Sequence, residues 1–303
     1  MNKRFYKIIV LLFLSACFTK ADAQLLNFGD FYSLESFVIK HSLLREYYIA
    51  EASTFKNNKI KKVKAIAGDE RTIFLMILNE EGMPVEIKKQ IRENLEVEKY
   101  LIDYVSANEP SKISYYLNSE FQYNIELFYK NGKLLNVKCD WPELKENEIV
   151  ISYDENNDKI EKLTLLLDGQ RKSNTKSVSN KGATVFTDNR DSIKIIFQAI
   201  DKFIMMSEPR QNSEILTFSN DRLTARILLK TSSLANVDKS ILKNLKVEDG
   251  KDKLSSFIEF MQATNASSEI YDYNASGIMN NFLINTGSDD VINCNLEFEY
   301  YTD

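Results

Sequence analysis

The sequence predicts an α+β fold, an antiparallel array of β-hairpins with about three helices packed on the sheet. One observation is a series of turn signals that recur about 25 residues apart, each flanked by strand-like apolar runs. The other is a set of three segments with apolar residues at helical spacing. An apolar helix stripe needs a sheet face to cover it, so helices on one side of an antiparallel sheet are expected.

The five turn signals are rich in Asn, Asp, Glu and Gly, and Asn-Gly or Asn-Asn pairs favour the left-handed conformations of tight hairpin turns. They occupy residues 56–59, 80–82, 107–109, 130–133 and 155–158. The strand-like runs beside them are residues 73–78, 123–129, 134–139, 149–153 and 160–167. Each unit of the predicted array is therefore one β-hairpin.

Three helices are predicted, over residues 31–48, 191–206 and 252–263, and a hairpin is expected after each. Their apolar stripes are Phe31, Leu34, Val38, His41, Leu44 and Tyr48; Ile193, Ile196, Phe197, Ile200, Phe203 and Ile204; and Leu254, Phe257, Ile258 and Met261. The expected hairpin turns lie near Asn57-Asn58, Asn220-Asp221 and Ala275 to Gly277.

One composition break divides the chain. Residues 169–182 are polar, contain four basic residues and offer almost nothing to bury, which is typical of a linker or a mobile loop. The predicted organisation is a signal peptide over 1–23, a helix with a hairpin-repeat region over 24–168, the polar linker or loop over 169–182, and a C-terminal helix-plus-hairpin region over 183–303.

The N-terminus predicts export. Lys3, Arg4 and Lys7 precede an apolar run of 11 residues, too short for a membrane-spanning helix of about 20 residues. Cleavage after Ala23 fits the small-x-small rule, whereas the stretch ending at Cys17 resembles a bacterial lipobox, in which the Cys is lipidated. The protein is thus expected to be periplasmic, anchored to the outer membrane by lipid, or secreted, with no membrane span after signal removal.

Composition excludes several classes of function. The chain has 303 residues, 39 basic against 44 acidic, and cleavage after Ala23 would leave a net charge of −8, so a nucleic-acid partner is not expected. The single histidine, His41, argues against His-dependent catalysis and His-rich zinc sites, and no glycine-rich phosphate loop occurs. The sequence therefore assigns no catalytic, metal-binding or cofactor-binding residue and no cofactor.

Two cysteines remain after signal removal, Cys139 and Cys294. In an oxidising compartment they could form a disulfide between the middle of the chain and its C-terminus. The alternative is two separate buried thiols, because both cysteines lie in apolar alternation, and this alternative is favoured.

Three local patterns resemble functional motifs, but a structural role explains each of them better. Residues 154–158 start like a calcium loop, but Lys159 stands where the glycine is needed, so a hairpin turn is expected. Ser173 to Lys176 matches S-x-x-K inside the polar segment, with no partner motif. His41 lies on the apolar stripe of the first helix, where a packed or half-exposed histidine is expected.

The hairpin units resemble the tandem YD-type hairpin repeats of bacterial surface and secreted proteins. The similarity lies in residues 129–134, 153–160 and 273–278, each with a Tyr before a polar turn, and Tyr153-Asp154 carries the dipeptide itself. It covers about the middle third of the chain. The resemblance implies an architectural β-sheet surface and no particular chemistry.

The function expected from these observations is that of an exported bacterial envelope protein with a non-enzymatic binding or structural role. Its sheet surface would hold a protein or glycan partner, and exposed rings from Tyr115-Tyr116 or Tyr300-Tyr301 are candidate contacts, because neighbours in a strand face opposite sides. The alternative is a carboxylate-dependent polysaccharide hydrolase, which needs no histidine.

Overall fold

The protein, in a computed structural model, is described over residues 34–68, 70–90, 96–144, 147–156, 159–180, 183–187, 193–199, 203–207, 212–219, 222–230, 266–274, 278–285 and 291–302. The predicted signal peptide with Cys17, and the predicted helix over 252–263, lie outside the described residues.

Eighteen β-strands follow one helix, α1 (Leu34–Asn57), in the described part of the chain. The strands are β1 (Ile60–Ala67), β2 (Thr72–Leu78), β3 (Pro84–Gln90), β4 (Val97–Ser106), β5 (Glu109–Leu117), β6 (Glu120–Lys130), β7 (Lys133–Cys139), β8 (Glu148–Tyr153), β9 (Ile160–Leu167), β10 (Gln170–Asn180), β11 (Ala183–Thr187), β12 (Ile193–Ala199), β13 (Phe203–Ser207), β14 (Asn212–Ser219), β15 (Arg222–Lys230), β16 (Ser267–Tyr273), β17 (Met279–Asn285) and β18 (Val291–Tyr300).

These strands form one sheet that closes on itself. Every strand pairs antiparallel with the next strand in the sequence. β1 also pairs with β18, from Ile60 opposite Tyr300 to Ala67 opposite Cys294, and this pairing joins the two ends of the sheet. Closure leaves neither of these strands as an unpaired edge.

The inside of the ring is mainly apolar over β1–β9, and Lys89 and Glu98 are buried charged residues there. Buried and partly exposed positions alternate along these strands, as in β6, where Tyr123, Ile125 and Leu127 are buried. The buried residues form one hydrophobic cluster with α1. The outward face carries cross-strand ion pairs instead, for example Lys62 with Glu299. Over β1–β9 this alternation places the core inside the ring and most polar side chains outside it.

Helix α1 lies inside the ring. It is not strongly amphipathic, because its first half is buried on several sides, with Leu34, Phe37, Val38 and Ile39 all in the core. One side of the helix contacts β7 and β8, and Lys40 reaches Glu214 on β14, on the opposite wall. Within the described ranges, no helix combines the length and the hydrophobicity needed to cross a membrane.

The predicted antiparallel hairpin architecture is confirmed. The first helix is also confirmed, but it continues beyond the predicted end at Tyr48 to Asn57. The helix predicted over 191–206 is wrong, since these residues contribute β12 and β13. Its stripe is rich in Ile and Phe, which favour strands, and pairing with β11 and β14 decides the conformation. The expected three helices packed on a sheet are thus replaced, among the described residues, by one helix enclosed in a strand-rich ring.

The turns predicted near residues 80–82, 107–109 and 130–133 do connect successive strands, and the predicted turn at 155–158 falls between β8 and β9, with residues 157–158 outside the described part of the chain. Residues 56–59 instead join α1 to β1, so this turn belongs to a helix–strand connection and not to a hairpin. In the polar segment expected as a linker, residues 170–180 form β10, paired with β9 and β11. The sheet therefore continues through the position where the sequence predicts a boundary.

We expect Gly82→Ala to lower the free energy of unfolding by about 3 kcal/mol, measured by urea denaturation. Gly82 has φ +76°, and a Cβ there would overlap the carbonyl oxygen of Ala52 and lie 2.9 Å from the Lys56 nitrogen, both in α1. Gly169→Ala is the matched control: its φ is +75° but nothing lies within 4 Å, so only the left-handed strain of about 1–2 kcal/mol applies. Equal losses in the two variants would contradict the close approach of this turn to the helix.

Candidate binding site on the outward face

The outward face of β6 presents polar and aromatic side chains in sequence. Since Tyr123, Ile125 and Leu127 point into the core, Asn124, Glu126 and Phe128 point outward between them. A bulge at Gln122 of β6, opposite the step from Tyr115 to Tyr116 of β5, places Phe121 directly opposite Tyr116. The two rings meet edge to face, with centroids 5.7 Å apart.

Register with the neighbouring strands extends this surface. Glu126 lies opposite Lys138 on β7, which lies opposite Glu148 on β8. Phe128 lies opposite Asn136 of β7. These cross-strand rows bring together side chains that are far apart in the sequence.

A depression of about 340 Å³ opens among these rows, between the middle of β6, the end of β7, the start of β8 and the end of β9. Its lining combines amide, carboxylate and ammonium groups. The residues are Asn124, Glu126, Lys138, Cys139, Asp140, Asn147, Glu148, Asp168 and Gly169.

Amide donors hold three of the four carboxylates in place. The backbone nitrogen and side-chain amide of Asn124 donate to Asp140, and the amide of Asn147 donates to Asp168 over 3.1 Å. Asn136 donates to Glu148 over 2.6 Å, and Lys138 lies 3.6 Å from the same carboxylate. The walls of the depression are therefore fixed by their own hydrogen bonds.

Glu126 is different from the other three acids. It is exposed, and its carboxylate forms no hydrogen bond or ion pair with any described residue. Its lone pairs are thus available to a ligand that enters the depression.

Exposed aromatic rings lie on both sides of the polar lining of β6. Phe121 is 51% exposed and Phe128 is 46% exposed. Lys138, which lines the depression, has its Nζ atom 5.9 Å from the centroid of Phe128. The arrangement is a polar depression with an apolar ring at each end of the strand that forms its wall.

The cysteines lie on separate strands. Cys139 is on β7 and Cys294 is on β18, both are buried, and both are free thiols. Burial raises the pKa of each to about 12, so neither thiol is activated as a nucleophile.

In each of the two adjacent tyrosine pairs, the two side chains have different surroundings. Tyr300 is 55% exposed on β18, whereas the hydroxyl of Tyr301 donates to the carbonyl of Leu78. Tyr115 donates to the buried carboxylate of Glu98, and Tyr116 contacts Phe121 on the other face. Tyr116 thus contributes indirectly to the outward surface by supporting Phe121.

His41 has a structural role. It is buried, its ring stacks on Phe37, and its Nε2 atom lies 2.8 Å from the hydroxyl of Tyr129 on β6. Burial, and secondarily the charge of Arg45, lower the pKa of His41 to about 4. Of the packed and half-exposed positions that the sequence left open for this histidine, the structure has the packed one.

A buried charge network connects α1 to the wall formed by β14–β16. Lys40 lies 2.8 Å from Glu214, Arg226 donates to Glu214 over 2.5 Å, and Arg226 also lies 3.5 Å from Glu269. The hydroxyl of Tyr271 donates to Glu269 over 2.6 Å. Burial alone would raise the pKa of Glu214, but the charges of Lys40 and Arg226 lower it below its ordinary value.

Sequence reasoning missed the depression. One wall of the depression is the turn at Asp168-Gly169, where both residues have positive φ. This turn was not predicted because Gly169 was assigned to the polar linker. The alternation of Tyr123, Ile125 and Leu127 with polar residues was the available signal for an outward row. The cross-strand partners of that row depend on the strand register, which cannot be predicted from the sequence of one strand.

Comparisons with known proteins give weak structural similarity. No family model matches the sequence, and no curated protein matches it. A porin-like protein from Bacteroides uniformis ATCC 8492 is similar over 80% of this chain and 97% of that one, with 12% identity and a TM-score of 0.35. The TcdB2-TccC3-Cdc42 structure is similar over 73% of this chain and 13% of that one, with 10% identity and a TM-score of 0.27. With no matching family model, the likeness to YD-type repeats stays a resemblance.

Proposed function

We propose that the protein is an exported, non-enzymatic binding protein of the bacterial envelope, which holds its partner on the outward face of β6–β9. The observation that carries the proposal is the depression next to Glu126, with its uncommitted carboxylate and the exposed Phe121 and Phe128 beside it. Fixed walls with a few available polar groups are typical of a binding site formed in advance.

Export is supported by the N-terminal sequence. Lys3, Arg4 and Lys7 precede an apolar run, and Ala23 ends a small-x-small site. Intact-mass measurement of the exported protein is expected to find a chain that begins at Gln24 or a diacylated chain that begins at Cys17. A working cytoplasmic form that retains Met1 would contradict export.

The hydrolase alternative fits the depression less well. A general acid requires a carboxyl group in apolar surroundings, which keep it protonated near neutral pH. Here Glu126, Asp140 and Asp168 are exposed to solvent, and Glu148 accepts an amide hydrogen bond beside Lys138. These surroundings suit carboxylates that accept hydrogen bonds from a ligand.

We expect the combined variant Glu126→Gln and Phe128→Ala to lose a partner that the wild-type protein captures stoichiometrically from an envelope extract. The control is Tyr300→Ala, which removes an exposed ring of β18, outside this face, and should leave capture unchanged. Chromogenic glycosides are screened beside the capture experiment. Turnover that is abolished by changing one acid of the depression would favour the hydrolase and overturn the binding role.

A further inference from the structure

We propose that the partner held on this face is a glycan without acidic groups, bound along β6 with its ends on Phe121 and Phe128. The inference rests on the proposed function and specifies the chemistry of its ligand. It is carried by the order of side chains on the outward face: an exposed ring, two polar side chains, Asn124 and Glu126, and a second exposed ring.

This order is the reverse of a protein–protein interface. Such interfaces have an apolar centre depleted of charged residues and a polar rim. On this face the centre is occupied by amide, carboxylate and ammonium groups, and the apolar rings stand at the two ends. A sugar chain fits the observed order, since its hydroxyl groups both donate and accept hydrogen bonds and its rings have C–H faces that can stack on Phe.

The dimensions favour a chain over a single sugar. Phe121 and Phe128 are seven positions apart on one strand, which corresponds to about 20 Å. One sugar ring cannot reach both aromatic side chains across this distance. An oligosaccharide that lies parallel to β6 can contact both rings and still place hydroxyl groups on Asn124 and Glu126.

The charge of the depression selects among glycans. Its lining contains four carboxylates, Glu126, Asp140, Glu148 and Asp168, against the single ammonium group of Lys138. A glycan that carries carboxylate or sulfate groups would be repelled, whereas neutral sugars are accepted.

Glu126 provides the sharpest test, because its carboxylate has no described partner whose loss would disturb the fold. Affinities are measured by isothermal titration calorimetry with the full mature chain. The probes are hexasaccharides of glucose in three linkages, of N-acetylglucosamine and of xylose, together with oligogalacturonate as the acidic probe. We expect at least one neutral probe to bind and oligogalacturonate not to bind.

For the neutral probe that binds, we expect Phe128→Ala to weaken binding at least tenfold and Glu126→Gln about tenfold. Tyr300→Ala is expected to have no effect. Preferred binding of oligogalacturonate would overturn the inference while the binding role stands. The same holds if no probe binds but a captured protein is lost in the Glu126→Gln and Phe128→Ala variant. If the two substitutions change neither glycan binding nor partner capture, both the inference and the proposed function are overturned.

Discussion

Arg226→Met is expected to lower the free energy of unfolding by about 3–5 kcal/mol, the loss typical of breaking a buried ion pair. Arg226 is 2% exposed and contacts both Glu214 and Glu269. Without its guanidinium group, Glu269 loses this cationic partner but retains the Tyr271 hydroxyl, and Glu214 loses one cationic partner but retains Lys40. Both buried carboxylates are then less well compensated than in the wild type.

Urea denaturation at neutral pH measures this loss. The control is Lys56→Met, since Lys56 pairs with Glu81 on the surface, where the two side chains are 50% and 47% exposed. An exposed pair of this kind contributes about 0–1 kcal/mol, so the control should unfold almost as the wild type does. A loss for Arg226→Met no larger than the loss for Lys56→Met would show that the network does not link the walls of the ring.

Acid is expected to destabilise the protein through His41. Its pKa in the folded state is about 4, below the ordinary value of 6.5, so between these values the unfolded chain binds a proton that the folded chain does not. Stability is therefore fully present above about pH 6.5 and falls as the pH decreases toward 4, by about 3 kcal/mol in total. The cause is burial of the ring, with a smaller contribution from Arg45.

The His41→Gln variant isolates this effect, because Gln can still hydrogen-bond to Tyr129 but does not titrate. Unfolding midpoints at pH 7, 5.5 and 4.5 are compared with those of the wild type, and the variant should lose much less stability over this range. Titration of Glu214 does not interfere with this comparison. Its pKa is lowered from 4.5, so the stability that it contributes is lost only below pH 4.5. Equal pH dependence in the two proteins would contradict a buried, neutral His41.

The antiparallel architecture was predictable because its signals are local. Asn131-Gly132 adopts positive φ at both positions, as a two-residue hairpin turn requires, and Asn and Gly tolerate this conformation best. The equivalent turn at Asn118-Ser119 also has positive φ at both positions, but Ser is not a strong turn signal. The sequence therefore signals only every second turn of the array. The period of about 25 residues therefore contains two strands and two turns.

The error over 191–206 has a different origin. Ile193, Ile196 and Phe197 satisfy helical spacing, yet in β12 the same residues pair with β11 and β13. A short apolar run is compatible with both conformations, and long-range pairing decides between them. The polar segment beyond Gly169 is a similar case. Its polar sequence predicts a linker or loop, whereas pairing with β9 and β11 makes it the strand β10.

The sequence by itself determined the antiparallel hairpins, the first helix, the structural role of His41 and the hypothesis of export, because each depends on residues that are close together in the chain. Tertiary structure decided the closure of the ring through β1 and β18, the enclosure of α1 and the depression beside Glu126. These features depend on strand register and on partners such as Lys40 and Glu214, which are 174 residues apart. A register shift of one residue would turn Asn124, Glu126 and Phe128 into the core, so the surface that carries the proposed function exists only once the strands are paired.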